Sequence, residues 1–194
     1  HLSHYQLTLE EGTPFARQPP AGIPEGDTAW DMQEACQARL AQAGFAQYEV
    51  SAYAREGRQC AHNLNYWRFG DYLGIGAGAH GKITLPSRDA ILRRWKLKHP
   101  KTYMDAAGSI ARIGGDECLA NERRPFDYML NALRLREGFA LSDFEARTGL
   151  ARESIAATLE TLVGRGLLES REGRVRPSDL GWRFLNDAME AFLP

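Results

Sequence analysis

Apolar and β-favouring residues run through His1–Leu9 (HLSHYQLTL) and stop at the charged EEGTPF segment, which predicts a first strand. A Pro-rich loop follows. Met32, Ala35, Cys36, Leu40 and Ala43 then recur at helical spacing, with Asp27 or Thr28 able to cap and Gly44 to stop a helix ending near Ala43. Gln47–Ala54 (QYEVSAYA) alternates as a second strand would. From a loop at Gly57, the window CAHNLNYWRFGDYLGIGAGAHG leads into a strand near Tyr72. GKITLPSRDAILRRWKLK after it reads as two strands joined by the Pro86-Ser87-Arg88-Asp89 turn.

Beyond Gly114-Gly115-Asp116 the pattern becomes helical, and a domain boundary is expected there, giving domains 1–115 and 116–194. Phe126, Met129, Leu130 and Leu133 fall on one face of a helix over Asn121–Arg136, with Pro125 in its first turn. Ser142-Asp143-Phe144-Glu145 matches a capping box and Gly149 a stop. Ile155, Leu159, Leu162 and Val163 line a helix over Ala151–Arg165, and a hairpin around the Ser-Arg-Glu-Gly turn and a helix over Ser178–Phe192 complete the chain. This is a winged-helix order, and the fold class is α+β.

Composition narrows the picture. At 194 residues, 43% hydrophobic and 25% charged, the chain has globular proportions and length enough for two small domains. A formal net charge of -1 provides no field for a polyanion, so nucleic acid is not the expected partner. Cys36, Cys60 and Cys118 are scattered and odd in number, which fits a reducing cytoplasm rather than a disulfide framework. No apolar run approaches the roughly 20 residues of a spanning helix. The start at His1, directly in strand-like sequence and without methionine, reads as a fragment.

The chemistry concentrates in the window already quoted. Gly76-Ala77-Gly78-Ala79-His80-Gly81 satisfies G-x-G-x-x-G, yet the dinucleotide mechanism needs a helix opening directly afterwards, and Lys82-Ile83-Thr84-Leu85-Pro86 is no helix start. Alternating glycines along a strand instead permit close approach by a backbone or a flat ligand, and both readings stay open. His62 is a candidate metal or heme ligand, with Tyr66 and Trp67 as flat surfaces beside a macrocycle, but a single ligand without its partner is not a site, and the residues alone favour a histidine that anchors a loop by hydrogen bonds. Cys60 and His62 lack the further ligands a zinc site needs. Arg152 and Arg165 are offset by Glu153 and Glu160, so the helix they bracket lacks a basic reading face, and a protein-contacting role suits it better than DNA binding. Arg93–His99 is the basic run, which alternation along a strand places partly on a solvated face.

HNLNYWRFGDYLGIGAGAHGKIT, with SHYQLTLEEGTPF and QYEVSAYA before it and RPFDYMLNALRLREGF after it, resembles the C-terminal half of the radical-SAM heme chaperone family, whose members are also labelled oxygen-independent coproporphyrinogen-III-oxidase-like. The resemblance covers essentially the whole chain, and HNxxYW is its most specific element. It implies late strands and a helix of a partial (β/α) radical-SAM barrel plus a β-hairpin in 1–115, followed by a winged-helix-like domain. It implies heme handling by His62, Tyr66 and Trp67, with His62 the candidate iron ligand, and places Thr8, Gly76, Gly78 and His80 near S-adenosylmethionine. The family's CxxxCxxC motif for a [4Fe-4S] cluster is absent, so no catalytic residue is expected in this chain, which alone should be inert in radical chemistry. The implied function is heme binding and transfer to an acceptor apoprotein, soluble or membrane-associated, in the cytoplasm. The alternatives are an oxygen-independent coproporphyrinogen III oxidase and a winged-helix nucleic-acid binder. A truncated barrel exposes strand edges, so a dimer through such an edge is also expected.

Overall fold

The computed structural model describes residues 1–194, and contact density divides them into two compact units, His1–Cys60 and Ala61–Pro194. The first unit holds β1 (Leu2–Ser3), α1 (Pro14–Arg17), α2 (Gly26–Gln42), β2 (Ala46–Glu49) and β3 (Ala52–Ala54). Its sheet has the order β1-β3-β2 and is antiparallel throughout, so the parallel pairing that a (β/α) barrel implies does not occur within it. The strand expected over His1–Leu9 shrinks to Leu2–Ser3, because only the His4 N–H donation to the Ser51 carbonyl continues the pairing and Tyr5 is 70% exposed. QYEVSAYA is two strands rather than one, folded at Val50-Ser51, with a bulge between Gln47 and Glu49. α2 begins at Gly26, one residue before the expected caps, and Glu25 offers no side-chain bond at the cap position.

The second unit opens with α3 (Ala61–Trp67), where a loop was expected. β4 (His80–Leu85) and β5 (Ala90–Lys96) form the expected hairpin, closed by a 3-10 turn over Pro86–Arg88 and by Asp89 in the left-handed region at φ 44. α4 (Pro100–Asp105) and β6 (Ile113–Cys118) follow, both unexpected. For β6 the reason is physical: Gly114-Gly115 reads as a linker, but an added side chain on Gly115 would strike the Trp95 indole of the paired strand, so the glycine is a seat for tryptophan. β6 therefore runs straight across the expected 115/116 division, pairing Trp95 with Gly115 and Arg94 with Asp116.

The remaining elements are α5 (Arg124–Ala132), β7 (Phe139–Ala140), α6 (Leu141–Thr148), α7 (Glu153–Gly164), β8 (Leu168–Arg171), β9 (Arg174–Pro177), α8 (Asp179–Arg183) and α9 (Leu185–Glu190). α6 starts one residue before Ser142, which forms no cap bond, so the capping box does not operate; the expected last helix breaks at Phe184. The hairpin sheet and the helices share one core, in which Phe69 and Ile91 join Tyr128, Met129, Leu133, Phe144 and Leu162. Two arginines lock the joint. Arg124, 2% exposed, donates to the Asp89 carboxylate at 2.8 Å, the Asp89 carbonyl at 2.6 Å and the Thr148 carbonyl at 2.8 Å. Arg93 pairs at 2.8 Å with Asp127, whose carboxyl burial pushes above its ordinary range against the opposing pull of Arg93. Arg94 binds Asp116 through two bonds of 2.6 and 2.7 Å, so both arginines of the basic run are held in ion pairs.

Candidate functional site

HNLNYW forms most of α3, a helix of two turns whose end is fixed by backbone geometry rather than by apolar periodicity. Phe69 takes a left-handed conformation at φ 55, the Gly70 N–H donates back to the Asn65 carbonyl at 2.7 Å, and the Phe69 N–H to Tyr66 at 2.9 Å. This is the Schellman pattern of helix termination, with phenylalanine in the position that glycine usually holds. Its ring, 2% exposed, reaches the core beside Tyr128 at 5.6 Å. Burial of a large aromatic side chain, worth roughly 1.5–3 kcal/mol, offsets the left-handed strain.

The chain then turns back onto α3. Asp71 accepts from the Lys82 ammonium at 2.9 Å, from the Thr84 hydroxyl at 2.8 Å and from the Thr84 N–H at 2.9 Å, while the Asn65 amide holds the Asp71 carbonyl. Lys82, 3% exposed, also sits over the Phe69 ring at 4.2 Å. Burial pushes the Lys82 ammonium below its ordinary value despite Asp71. It also pushes the Asp71 carboxyl up, but the Lys82 and Thr84 bonds outweigh it and hold that carboxyl below the usual range.

This frame decides which aromatic rings meet. His62 and Tyr66, four residues apart on one helix face, have ring centroids 4.9 Å apart at 72°, and Tyr66 meets Tyr72 at 4.6 Å and 50°. The His62 imidazole is exposed and its ring nitrogens enter no hydrogen bond, so it anchors no loop. Trp67 departs from the expected trio: five residues after His62 on the helix, it points elsewhere, stacks under the Arg134 guanidinium at 4.4 Å and borders a separate cleft. Tyr72 is the member that sequence reasoning missed. The bridge that its backbone makes with Lys82 returns the chain to α3, a long-range pairing that no local pattern announces.

The second candidate group draws on both units. Thr8 lies in the first unit, exposed and outside regular structure. Gly76 and Gly78 belong to a turn, at φ 107 and 69, not to the expected glycine strand. The close approach predicted for the glycines belongs instead to Gly74, where an added Cβ would lie 2.5 Å from the His80 carbonyl oxygen. His80 opens β4 and stacks on Trp95 with centroids 6.2 Å apart. No group of three or more His, Cys, Asp or Glu side chains converges as a metal site.

Comparison with known proteins bears on what this arrangement serves. Heme chaperone HemW of Escherichia coli is 42% identical over 193 residues, covering 100% of this chain and 50% of that protein. Along its whole length, this chain is similar to HemW. HemW of Mycobacterium tuberculosis (strain H37Rv) is 38% identical, across 97% of this chain and 46% of its own length. The chain thus spans about half the length of the HemW relatives it matches. The model of the HemN C-terminal domain family matches residues 119–184. A solved structure, coproporphyrinogen III oxidase (HemN) of E. coli, described as a radical SAM enzyme, superposes with a TM-score of 0.63 and 17% identity, over 89% of this chain and 42% of that one. At that identity the likeness to HemN is one of fold. It makes the chain part of a HemN-like fold and leaves the residue-level comparison to the HemW relatives. No helix is long and apolar enough to cross a membrane.

Proposed function

We propose that this chain is the C-terminal half of a heme chaperone and that α3 carries its heme-contacting side chains. The observation that carries the reading is the exposed His62 imidazole, free of hydrogen bonds and set against Tyr66, which in turn packs on Tyr72, on a helix formed by the HNLNYW motif. The residues fit the group: a neutral imidazole with an open nitrogen is a heme-iron donor, and neighbouring tyrosine rings offer apolar surface to a macrocycle. Heme bound there is the cargo, and the chain's task is to hold and release it to an acceptor apoprotein, soluble or membrane-associated. Trp67 contributes from the other side of the helix.

In the same reading S-adenosylmethionine and the [4Fe-4S] cluster belong to the whole protein, with Thr8, Gly76, Gly78 and His80 on the cofactor side. The first unit supplies late elements of a partial barrel, and the elements from α5 onward form a winged-helix-like module that shares its core with the β4–β5–β6 sheet. The sheet order β7-β9-β8 and the match at 119–184 support that module. A cytoplasmic location is in keeping with a chain that has free cysteines. No observation favours the oxidase or the nucleic-acid reading.

Heme titration of the chain and of His62→Ala tests the ligand. Wild type should show a shifted Soret band. The variant should lose that shift and bind at least about tenfold more weakly, a change of about 1.4 kcal/mol. Identical spectra and affinities would remove His62 from the iron.

A further inference from the structure

We infer that the cleft bordered by Trp67 is a binding site for an organic carboxylate with an apolar body, seated by Arg147, Arg174 and the hydroxyl of Tyr128. The cleft has a volume of about 470 Å³, within the roughly 300–1,000 Å³ that small-molecule sites occupy. Trp67, Leu135 and Phe139 give it apolar wall, and Arg68, Arg147, Arg174, Glu137 and Asp143 give it charge. Within that set Arg68 and Glu137 neutralise each other through an ion pair of 3.0 Å. Arg174 spends one N–H on the Glu137 carbonyl at 3.3 Å, and Arg147 has no ion pair. Two guanidiniums therefore face one remaining carboxylate, Asp143. That excess suits a monoanion, whereas a phosphate dianion would bring a second charge against Asp143.

Tyr128 supplies the independent sign of a ligand. The residue is 1% exposed and packed edge-on against Phe139 and Phe144, each at 5.2 Å, yet its hydroxyl forms no hydrogen bond. Tyr128 itself lines the cleft, so the one edge of this buried ring that has no protein partner is its hydroxyl, open to whatever fills the cleft. Asp143, Arg147 and Arg174, the charges that act on this hydroxyl, all line the cleft, which places the hydroxyl toward it. A carboxylate there would accept from Tyr128 and from guanidinium N–H groups, in bonds stronger than neutral ones. Gly138 fixes the wall: at φ 64 its Cα sits so close to the Val175 carbonyl that any side chain would collide with it. The site stands apart from His62 and does not depend on iron ligation.

One ligand chemistry has two sources, the propionate of a tetrapyrrole or a small free carboxylic acid, and calorimetry on the 194-residue chain separates them. 3-Phenylpropionate should bind and 3-phenylpropan-1-ol should bind at least about tenfold more weakly. Arg147→Gln and Arg174→Gln should each cost about tenfold, and Tyr128→Phe about threefold, with far-UV circular dichroism unchanged. Acid and alcohol binding alike, or full affinity in both correctly folded arginine variants, would overturn the inference. Metal-free mesoporphyrin IX, which takes no axial ligand, is then added as competitor. Displacement by it and not by its dimethyl ester identifies a tetrapyrrole propionate; no displacement identifies a small acid. Loss of heme binding in His62→Ala with phenylpropionate binding intact supports two separate sites.

Discussion

Lys82 is the most expensive side chain beside the HNLNYW helix, because its ammonium is 3% exposed and its compensation comes mainly from one carboxylate. Asp71→Asn should therefore cost roughly 2–4 kcal/mol in urea unfolding, since it leaves a buried charge without its counter-charge. The loss should largely vanish when Lys82→Met is combined with it, and additive losses would show that the pair is uncoupled. The pH dependence follows from the two directions of shift. Asp71, depressed in the folded chain, contributes stability above its unfolded value near 3.8 that is lost as pH falls through the folded one. Lys82 is also depressed, so between its folded value and 10.5 the unfolded chain binds more protons and stability rises with pH. Asp71→Asn should flatten the acid limb of the stability curve.

Elements with a clear period were legible in the sequence: the β4–β5 hairpin from its alternation and its Pro-Ser-Arg-Asp turn, and α7 from Ile155, Leu159 and Leu162. α3 was not. Seven residues give too few turns for a period to register, and the helix is defined by a left-handed Phe69 that composition does not announce. β6 was hidden because Gly114-Gly115 signals a break in sequence while serving in space as clearance for Trp95. The same ambiguity split the glycine window. Gly74 answers to the His80 carbonyl, whereas Gly76 meets nothing within 4 Å of an added Cβ and is retained for its φ of 107. Gly74→Ala should accordingly cost roughly 1–3 kcal/mol, because backbone rather than a flexible side chain must give way. It should also weaken near-UV ellipticity as Tyr72 moves off Tyr66. A neutral Gly74→Ala would mean that the turn yields freely.

At the scale of the whole molecule, the first unit is under-covered. α2 has no buried residue, and Tyr5, Leu7, Phe15 and Met32 are 70, 49, 53 and 53% exposed. The β1-β3-β2 sheet ends on one side in a strand of two residues, followed by the extended segment that carries Tyr5 and Leu7. Unpaired edges and exposed apolar side chains both favour association. HemW relatives are about twice as long as this chain. The 194-residue chain by itself should cover this surface with a second copy. Size-exclusion chromatography with light scattering should show a mass that rises toward a dimer with concentration. Leu7→Lys should shift that equilibrium toward monomer, and its unfolding midpoint should match wild type at concentrations where both are monomeric, because the charge opposes pairing at the edge rather than disturbing the monomer. A clean monomer at high concentration would refute association through this edge, and an unchanged dimer in Leu7→Lys would place the contact elsewhere.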